Sequence, residues 1–387
     1  MKPGNPSLHS KLPDVGTTIF TVMSQLAADC GAINLSQGYP DFDAPSGLLD
    51  RVAHHLWAGH NQYAPMAGLP ELREAIAGKL ARVYEREADP ENEITVTSGA
   101  TEALFSAIEA FIHPGDEVIV LDPAYDSYDP AIRLAGGTPV HVPLLSPSFA
   151  LDLDALAAAI TPSTRMLILN TPHNPTGAVV PAADMQRLAA IVRDTDILLL
   201  GDEVYEHMVF DGQCHESLLR YPELVDRSVA VFSFGKTYHA TGWKIGYVVA
   251  APALTAEFRR VHQFVQFCVA TPLQYALADF LTSDPQHYLE LPAFYQQKRD
   301  RFAALLETSR FELQPSAGTY FQLADYSALT DEPDTDYARR LTREYGVACI
   351  PVSVFCASPP AAQRLLRFCF AKSDDTLERA AEILCKI

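Results

Sequence analysis

The sequence predicts an α/β protein built on a largely parallel sheet, and three observations carry that prediction. After ITVT (94 to 97), short, almost wholly apolar runs ending in polar residues recur up to residue 234: EVIVLD, MLILN, DILLLGDE and VAVFSF. Runs of this kind are what strands buried on both faces look like. Helical patterns separate them, as in SGATEALFSAIEAFI, where Leu104, Phe105, Ile108, Phe111 and Ile112 recur at helical spacing. Finally, 387 residues exceed one small core and call for two domains, or one large domain with an appendage.

Taken in order, residues 1 to 16 are rich in Pro, Gly and Ser and read as a surface arm. Residues 1–44 are expected to supply that arm and part of a smaller domain, and residues 45–285 a large domain of alternating strands and helices. After about residue 285 the texture changes. A long helical stretch, HYLELPAFYQQKRDRFAALLETS, leads to FELQPSAGTYFQLADY, another helix, and the strand-like GVACIPVSVFC and LLRFCFA. Residues 286–387 therefore read as a small α+β domain.

Composition narrows the function. A net charge of -19 and a pI near 5.0 argue against nucleic acid or an anionic membrane as partner. Seven cysteines form no pairing grid and no CxxC, so no zinc or other metal site is indicated, and a reducing, cytoplasmic setting fits. The N-terminus lacks the apolar core of a signal peptide, and no run approaches the ~18 apolar residues of a membrane span.

Five places carry chemistry, each at the carboxyl end of an expected strand or beside one. Ser98-Gly99-Ala100-Thr101 follows a strand and opens a helix, which makes either an anion site or an ordinary capped turn. Asp202 closes a buried strand with Tyr205 three residues on; a buried acid needs a cation or strong donors, and a loop salt bridge would also serve. In TPHNPTG, Asn174 precedes Pro175, a position where a cis bond is allowed, although a plain loop would read the same. Arg367 alternates with Leu366 and Phe368 in LLRFCFA, so it points away from their face, toward a structural partner or a carboxylate ligand.

Lys236 is the fifth. Gly235-Lys236-Thr237 looks like the tail of a nucleotide-binding P-loop, but that motif needs glycine where residue 230 is Ala. What remains is a lysine just beyond a buried strand, with Ser233 and Lys244 nearby. Burial and a neighbouring cation both favour the free amine that attacks a carbonyl. Together the five places match pyridoxal phosphate (PLP), which needs a lysine for its aldehyde, a phosphate cradle and a carboxylate at the pyridine nitrogen.

The chain strongly resembles the fold-type I, class I PLP-dependent aminotransferases. The resemblance runs through NLSQGYPDFD, NQYAPMAGLPELREAIA, TVTSGATEAL, DPAYDSY, NTPHNPTG, GDEVYEH, SFGKTYHATGWKIGY and RFCFA. NQYAP, DEVYEH and SFGKTYHATGWK resemble the branch of bacterial methionine aminotransferases and kynurenine aminotransferases. The resemblance implies a seven-stranded sheet sandwiched by helices and a homodimer with shared active sites. Lys236 would form the internal aldimine and shuttle the proton, and Asp202 would pair with the pyridine nitrogen. Tyr205 and Asn174 would bond the ring phenolate, and Tyr125 would stack on the ring. Gly99, Ala100 and Thr101, with Ser233 and Lys244, would hold the phosphate, reached by Tyr63 of the second subunit. Gly38, Tyr39, Asn174 and Arg367 would bind substrate. Lys244 stands where most of the class has arginine, which gives charge without the bidentate fork.

The resemblance places Tyr39, Tyr63, His239 and Phe355 along the substrate side chain, and no second arginine for a dicarboxylate is assignable. Methionine and aromatic, kynurenine-like amino acids are therefore the expected donors, with a 2-oxo acid as acceptor. Two alternatives share the motifs: a PLP-dependent β-lyase acting on cystathionine or cysteine conjugates, and a regulatory module on the same fold. The second predicts an attached DNA-binding domain or a broken site.

Overall fold

The computed structural model describes residues 9–387, so the first half of the expected surface arm lies outside the described residues. Seven strands form the main sheet: β1 (Ile94–Thr97), β2 (Glu117–Asp122), β3 (Thr138–Pro143), β4 (Thr164–Asn170), β5 (Leu198–Asp202), β6 (Ser228–Ser233) and β7 (Gly246–Ala250). They lie in the order β1-β7-β6-β5-β4-β2-β3. All neighbouring pairs are parallel except those of β7, which runs antiparallel to both β6 and β1.

The first helices are α1 (Ile19–Cys30), α2 (Ser46–Trp57), α3 (Pro70–Tyr84) and α4 (Gly99–Phe111), of which α1 and α4 line the site described below. On one face of the sheet, Leu104, Ile108 and Phe111 of α4 pack with Val118, Val120, Ile168 and Val231. On the other, Leu188 and Val192 pack with Ile119, Leu167 and Leu199. Apolar side chains on both faces explain why the central strands read as unbroken apolar runs.

A second sheet holds β8 (Glu312–Gln314), β9 (Phe321–Asp325), β10 (Ile350–Pro351) and β11 (Leu365–Cys369), all antiparallel, in the order β10-β11-β9-β8. The N-terminal segment joins this part of the molecule. Ile33–Asn34 pairs in parallel with Val347–Ala348, and Leu35 O accepts from Cys369 N. That pairing lays residues 36 to 38 against β11. Helix α1 was not anticipated from the sequence; Thr18 caps its first turn and Gly31, at φ 62°, ends it. Among the described residues no helix is long and apolar enough to cross a membrane.

Candidate active site

The carboxyl ends of β1, β2, β4, β5 and β6 open on one edge of the sheet, where open α/β sheets place ligands. Because β7 runs the other way, its entry at Lys244 and Ile245 falls on the same edge. Gly246 lies opposite both Thr97 of β1 and Ser233 of β6. A Cβ on Gly246 would lie 2.4 Å from Phe232 O and 3.2 Å from Ala100 N, so only glycine lets the start of α4 approach this closely. A cavity of about 300 Å³ occupies the edge.

Lys236 Nζ reaches it from a single helical turn that follows β6. The amine donates to Tyr320 OH at 2.8 Å and to Gly38 O at 3.2 Å. Burial first, then the Lys244 and Arg367 charges, pull its pKa down to about 8 against the opposing pull of Cys369 and Asp202. The residue is thus partly a free amine near neutrality, as the sequence implied.

Asp202 ends β5 and is 5% exposed. Its Oδ2 accepts from Tyr128 OH at 2.6 Å, while the buried Oδ1 has no hydrogen-bond partner. Burial raises the carboxyl's pKa to about 6, against the Tyr128 bond and the nearby Val204 amide. The loop salt bridge that the sequence left open does not form: no cation comes within 4 Å of Asp202 among the described residues.

Arg367 is fully buried in the middle strand β11. Its Nη1 donates to Asn174 Oδ1 at 2.7 Å, its Nη2 donates to Ser36 O at 3.0 Å, and its Nε has no partner. The guanidinium stacks 3.9 Å from the centre of the Phe321 ring. It pairs with no carboxylate among the described residues, so the structural ion pair is absent and donors remain for a ligand.

Gly99, at φ +75°, begins α4, and a Cβ there would meet Lys244 Cε at 3.3 Å. Ala100, Thr101, Ser233 and Lys244 line the same cavity, and Ser98 N donates to Glu102 Oε2 across the first turn of the helix. The start of a helix, two hydroxyls and an ammonium together make an anion cradle. Asn174–Pro175 is a cis bond, and Tyr125, Asn174, Tyr205 and Gly38 complete the expected lining.

Tyr39 and Tyr63 do not reach the cavity within one chain; they are 45% and 81% exposed. His239 turns away to pack against Phe42, Phe294 and Tyr295, and Phe355 stands behind Phe20. The apolar wall comes instead from Phe20, Tyr125, Leu104 and Phe321. Phe20, Tyr128, Tyr320 and Phe321 are among the site residues that sequence reasoning missed. Tyr128 sits in the quoted DPAYDSY motif, three residues beyond Tyr125, which was the available signal.

Comparison with known proteins agrees with this geometry. Residues 31–384 match the family model for aminotransferase class I and II. The methionine aminotransferase of Escherichia coli (strain K12) is 53% identical over 381 residues, 98% of each chain. Kynurenine–oxoglutarate transaminase 3 of Rattus norvegicus is 35% identical over 402 residues, 96% of this chain and 88% of the relative. The crystal structure of YbdL from Escherichia coli, identified with a methionine aminotransferase function, covers 100% of both chains at TM-score 0.96 and 53% identity. All three are aminotransferases, which favours transamination over β-elimination and over a regulatory role. The chain belongs to the class I and II aminotransferases and is an enzyme of the branch that holds the methionine and kynurenine aminotransferases.

Proposed function

We propose that this cavity holds PLP and that the enzyme moves the amino group of methionine and aromatic, kynurenine-like amino acids to a 2-oxo acid. The observation that carries the reading is the unpartnered Oδ1 of Asp202, a buried acceptor on a residue that lines the same cavity as Lys236. A protonated pyridine nitrogen supplies the donor that this oxygen lacks. Bound there, the cofactor contributes an aldehyde and an electron-withdrawing ring.

The chain's own residues then divide the work. Gly99, Ala100, Thr101, Ser233 and Lys244 fit the phosphate, Tyr125 the ring face, and Asn174 and Tyr205 the phenolate oxygen. Arg367, with Gly38 and Asn174, fits the substrate carboxylate, and its lack of an acidic partner supports that role. Lys236 Nζ would hold the cofactor and, as a free amine, would take the proton from the substrate α-carbon and hand it back within the exchange. Tyr63 reaches the phosphate from the second subunit of a homodimer, consistent with its exposure in one chain. Residues 45–285 make up the large domain in this reading and residues 286–387 the small one, with residues 9–44 supplying an N-terminal arm and part of the small domain, a division the two sheets support. The seven free cysteines suit the cytoplasm.

Donor choice rests on the apolar wall and on the cations lining the cavity, which are Lys236, Lys244 and Arg367. With the first two committed to the cofactor, one remains for one carboxylate. A half-reaction survey tests this reading: absorbance of the bound cofactor is titrated with each amino acid. Methionine and phenylalanine should convert it, and neighbours in size should differ by only about 1–3 kcal/mol. Conversion by aspartate with none by methionine or phenylalanine would reject the assignment.

A further inference from the structure

We infer that Tyr320 is a positioning residue for Lys236, its hydroxyl and the Gly38 carbonyl holding the amine by its N–H bonds so that its lone pair faces the cavity. The inference rests on the reading of Lys236 as the residue that joins the cofactor. Nothing in the sequence marked Tyr320, which belongs to the small-sheet side of the site, at the entry to β9.

The geometry fixes the direction of each hydrogen bond. Tyr320 OH donates to Gly38 O, so its single proton is committed and only its lone pairs face Lys236. Nζ must therefore donate to Tyr320, at 2.8 Å, and it donates also to Gly38 O at 3.2 Å. With the bond to Cε, these two contacts use three of the four tetrahedral directions of a neutral amine. The remaining direction carries the lone pair, and Nζ belongs to the cavity lining. The Tyr205 and Tyr320 rings, 5.5 and 5.4 Å from Nζ and edge-on to each other, close the sides.

Tyr320 is itself held firmly. Gly318 N donates to Gly177 O at 2.8 Å and Thr319 N to Met208 O at 2.9 Å, which ties the preceding loop to the large sheet's side of the site. Its own carbonyl accepts from Phe370 N at 2.9 Å, and the side chain is fully buried. A hydroxyl fixed from both sides can aim the amine, where a mobile one could not.

Attachment of the cofactor uses this orientation directly. With PLP bound, the Nζ lone pair would form the bond to the aldehyde carbon, and the two amine protons would leave with the aldehyde oxygen as water. Those protons are the ones held by Tyr320 and Gly38.

The test mixes cofactor-free enzyme with PLP and follows the absorbance change on covalent attachment across pH. For Tyr320→Phe, we expect normal saturation by PLP and a plateau attachment rate about ten- to a hundredfold below wild type. The midpoint of the pH profile should also move to lower pH, because removing an acceptor destabilises the ammonium form. A purely structural role would lower thermal stability and leave that midpoint in place. Wild-type rate and midpoint in Tyr320→Phe would overturn the inference. If that variant does not fold, Tyr320→His replaces it: its ring nitrogen can accept from Nζ, so attachment faster than in Tyr320→Leu supports the inference, and equal rates overturn it. Lys236→Ala is the control. Covalent attachment in Lys236→Ala would reject the underlying functional reading, whereas its absence there with an unchanged Tyr320→Phe rejects only the role of Tyr320.

Discussion

At Asp202 a buried carboxyl with one hydroxyl donor keeps its proton up to about pH 6, against 3.8 for the ordinary group. Between those values the folded, cofactor-free protein binds a proton that the unfolded chain has released. Folding is therefore favoured as pH falls through this window, and that advantage is lost as pH rises above about 6. Asp202→Asn keeps an oxygen for Tyr128 and removes the uncompensated charge. The cofactor-free variant should melt above wild type at about pH 8, with the gap narrowing from about pH 6 down to about pH 4. Its turnover should fall by about 10²–10³, since the charge facing the ring is gone. Equal melting at about pH 8, measured by calorimetry, would show that the burial cost is met by something else. Residues whose roles follow from type and place in the chain were legible: Lys236 and Asp202 stand at strand ends, and the missing upstream glycine disposed of the nucleotide reading. Tyr128 and Tyr320 were illegible because a tyrosine's task depends on which acceptor the fold brings to its hydroxyl.

The segment after β5 alternates two duties along its length. Asp202 and Tyr205 face the cavity, while Glu203 and Glu206 turn to the opposite side, into a buried polar cluster. Glu203 accepts from His215 Nε2 at 2.7 Å and Leu218 N at 3.0 Å; Glu206 accepts from Lys79 of α3 and from Tyr84. Lys79 also donates to Tyr247 of β7 at 2.7 Å, so one ion pair ties helix, strand and catalytic segment together. Lys79→Met should cost about 3–5 kcal/mol, because Glu206 would be left buried without its cation. Adding Glu206→Gln should recover much of that loss in chemical denaturation; purely additive effects would deny the coupling. Four strands of the main sheet could be read from the sequence because both of their faces are apolar, and ITVT of β1 was read from its place before a helical stretch. TPVHVP of β3 escaped, being a half-exposed edge strand with prolines at either end. GYVVA of β7 lay hidden in a stretch read for its chemistry, and its reversed direction has no local signature.

Across the whole molecule, one chain leaves unusual aromatic surface in water. Trp57 at the end of α2, Tyr63 and Phe264 are 91%, 81% and 87% exposed, and Phe267 stands edge-on to Tyr63 at 5.0 Å. The Tyr63–Phe267 pair is the part of this surface where exposed rings touch, and it supports the proposed subunit contact. Sedimentation should show a dimer, and Phe264→Glu should shift it toward monomer, with a parallel loss of turnover if Tyr63 completes the second subunit's site as proposed. A monomeric variant with full activity would remove Tyr63 from the shared site. The two-sheet plan was visible as a change of texture near residue 285. The return of the N-terminal segment onto β11 was only suggested, because parallel pairing of Ile33–Asn34 with Val347–Ala348 joins residues more than three hundred positions apart.

The setting of Arg367 has a consequence for how such an enzyme changes its diet. In the proposed reading, the group that every amino acid shares falls to a guanidinium planted in an inner strand of a four-stranded ladder, paired at Leu323 and Ile350. The group that differs among amino acids is met partly by Phe20, on a short helix tied to the site through Gln37, which donates to Phe20 O at 3.0 Å. The Phe20 ring also stands 5.2 Å from the Arg367 guanidinium, so substitutions there change one face of the common handle's surroundings while the ladder that holds it stays in place. New preferences should therefore arise in descendants of this chain by replacement around Phe20, with β11 inherited intact.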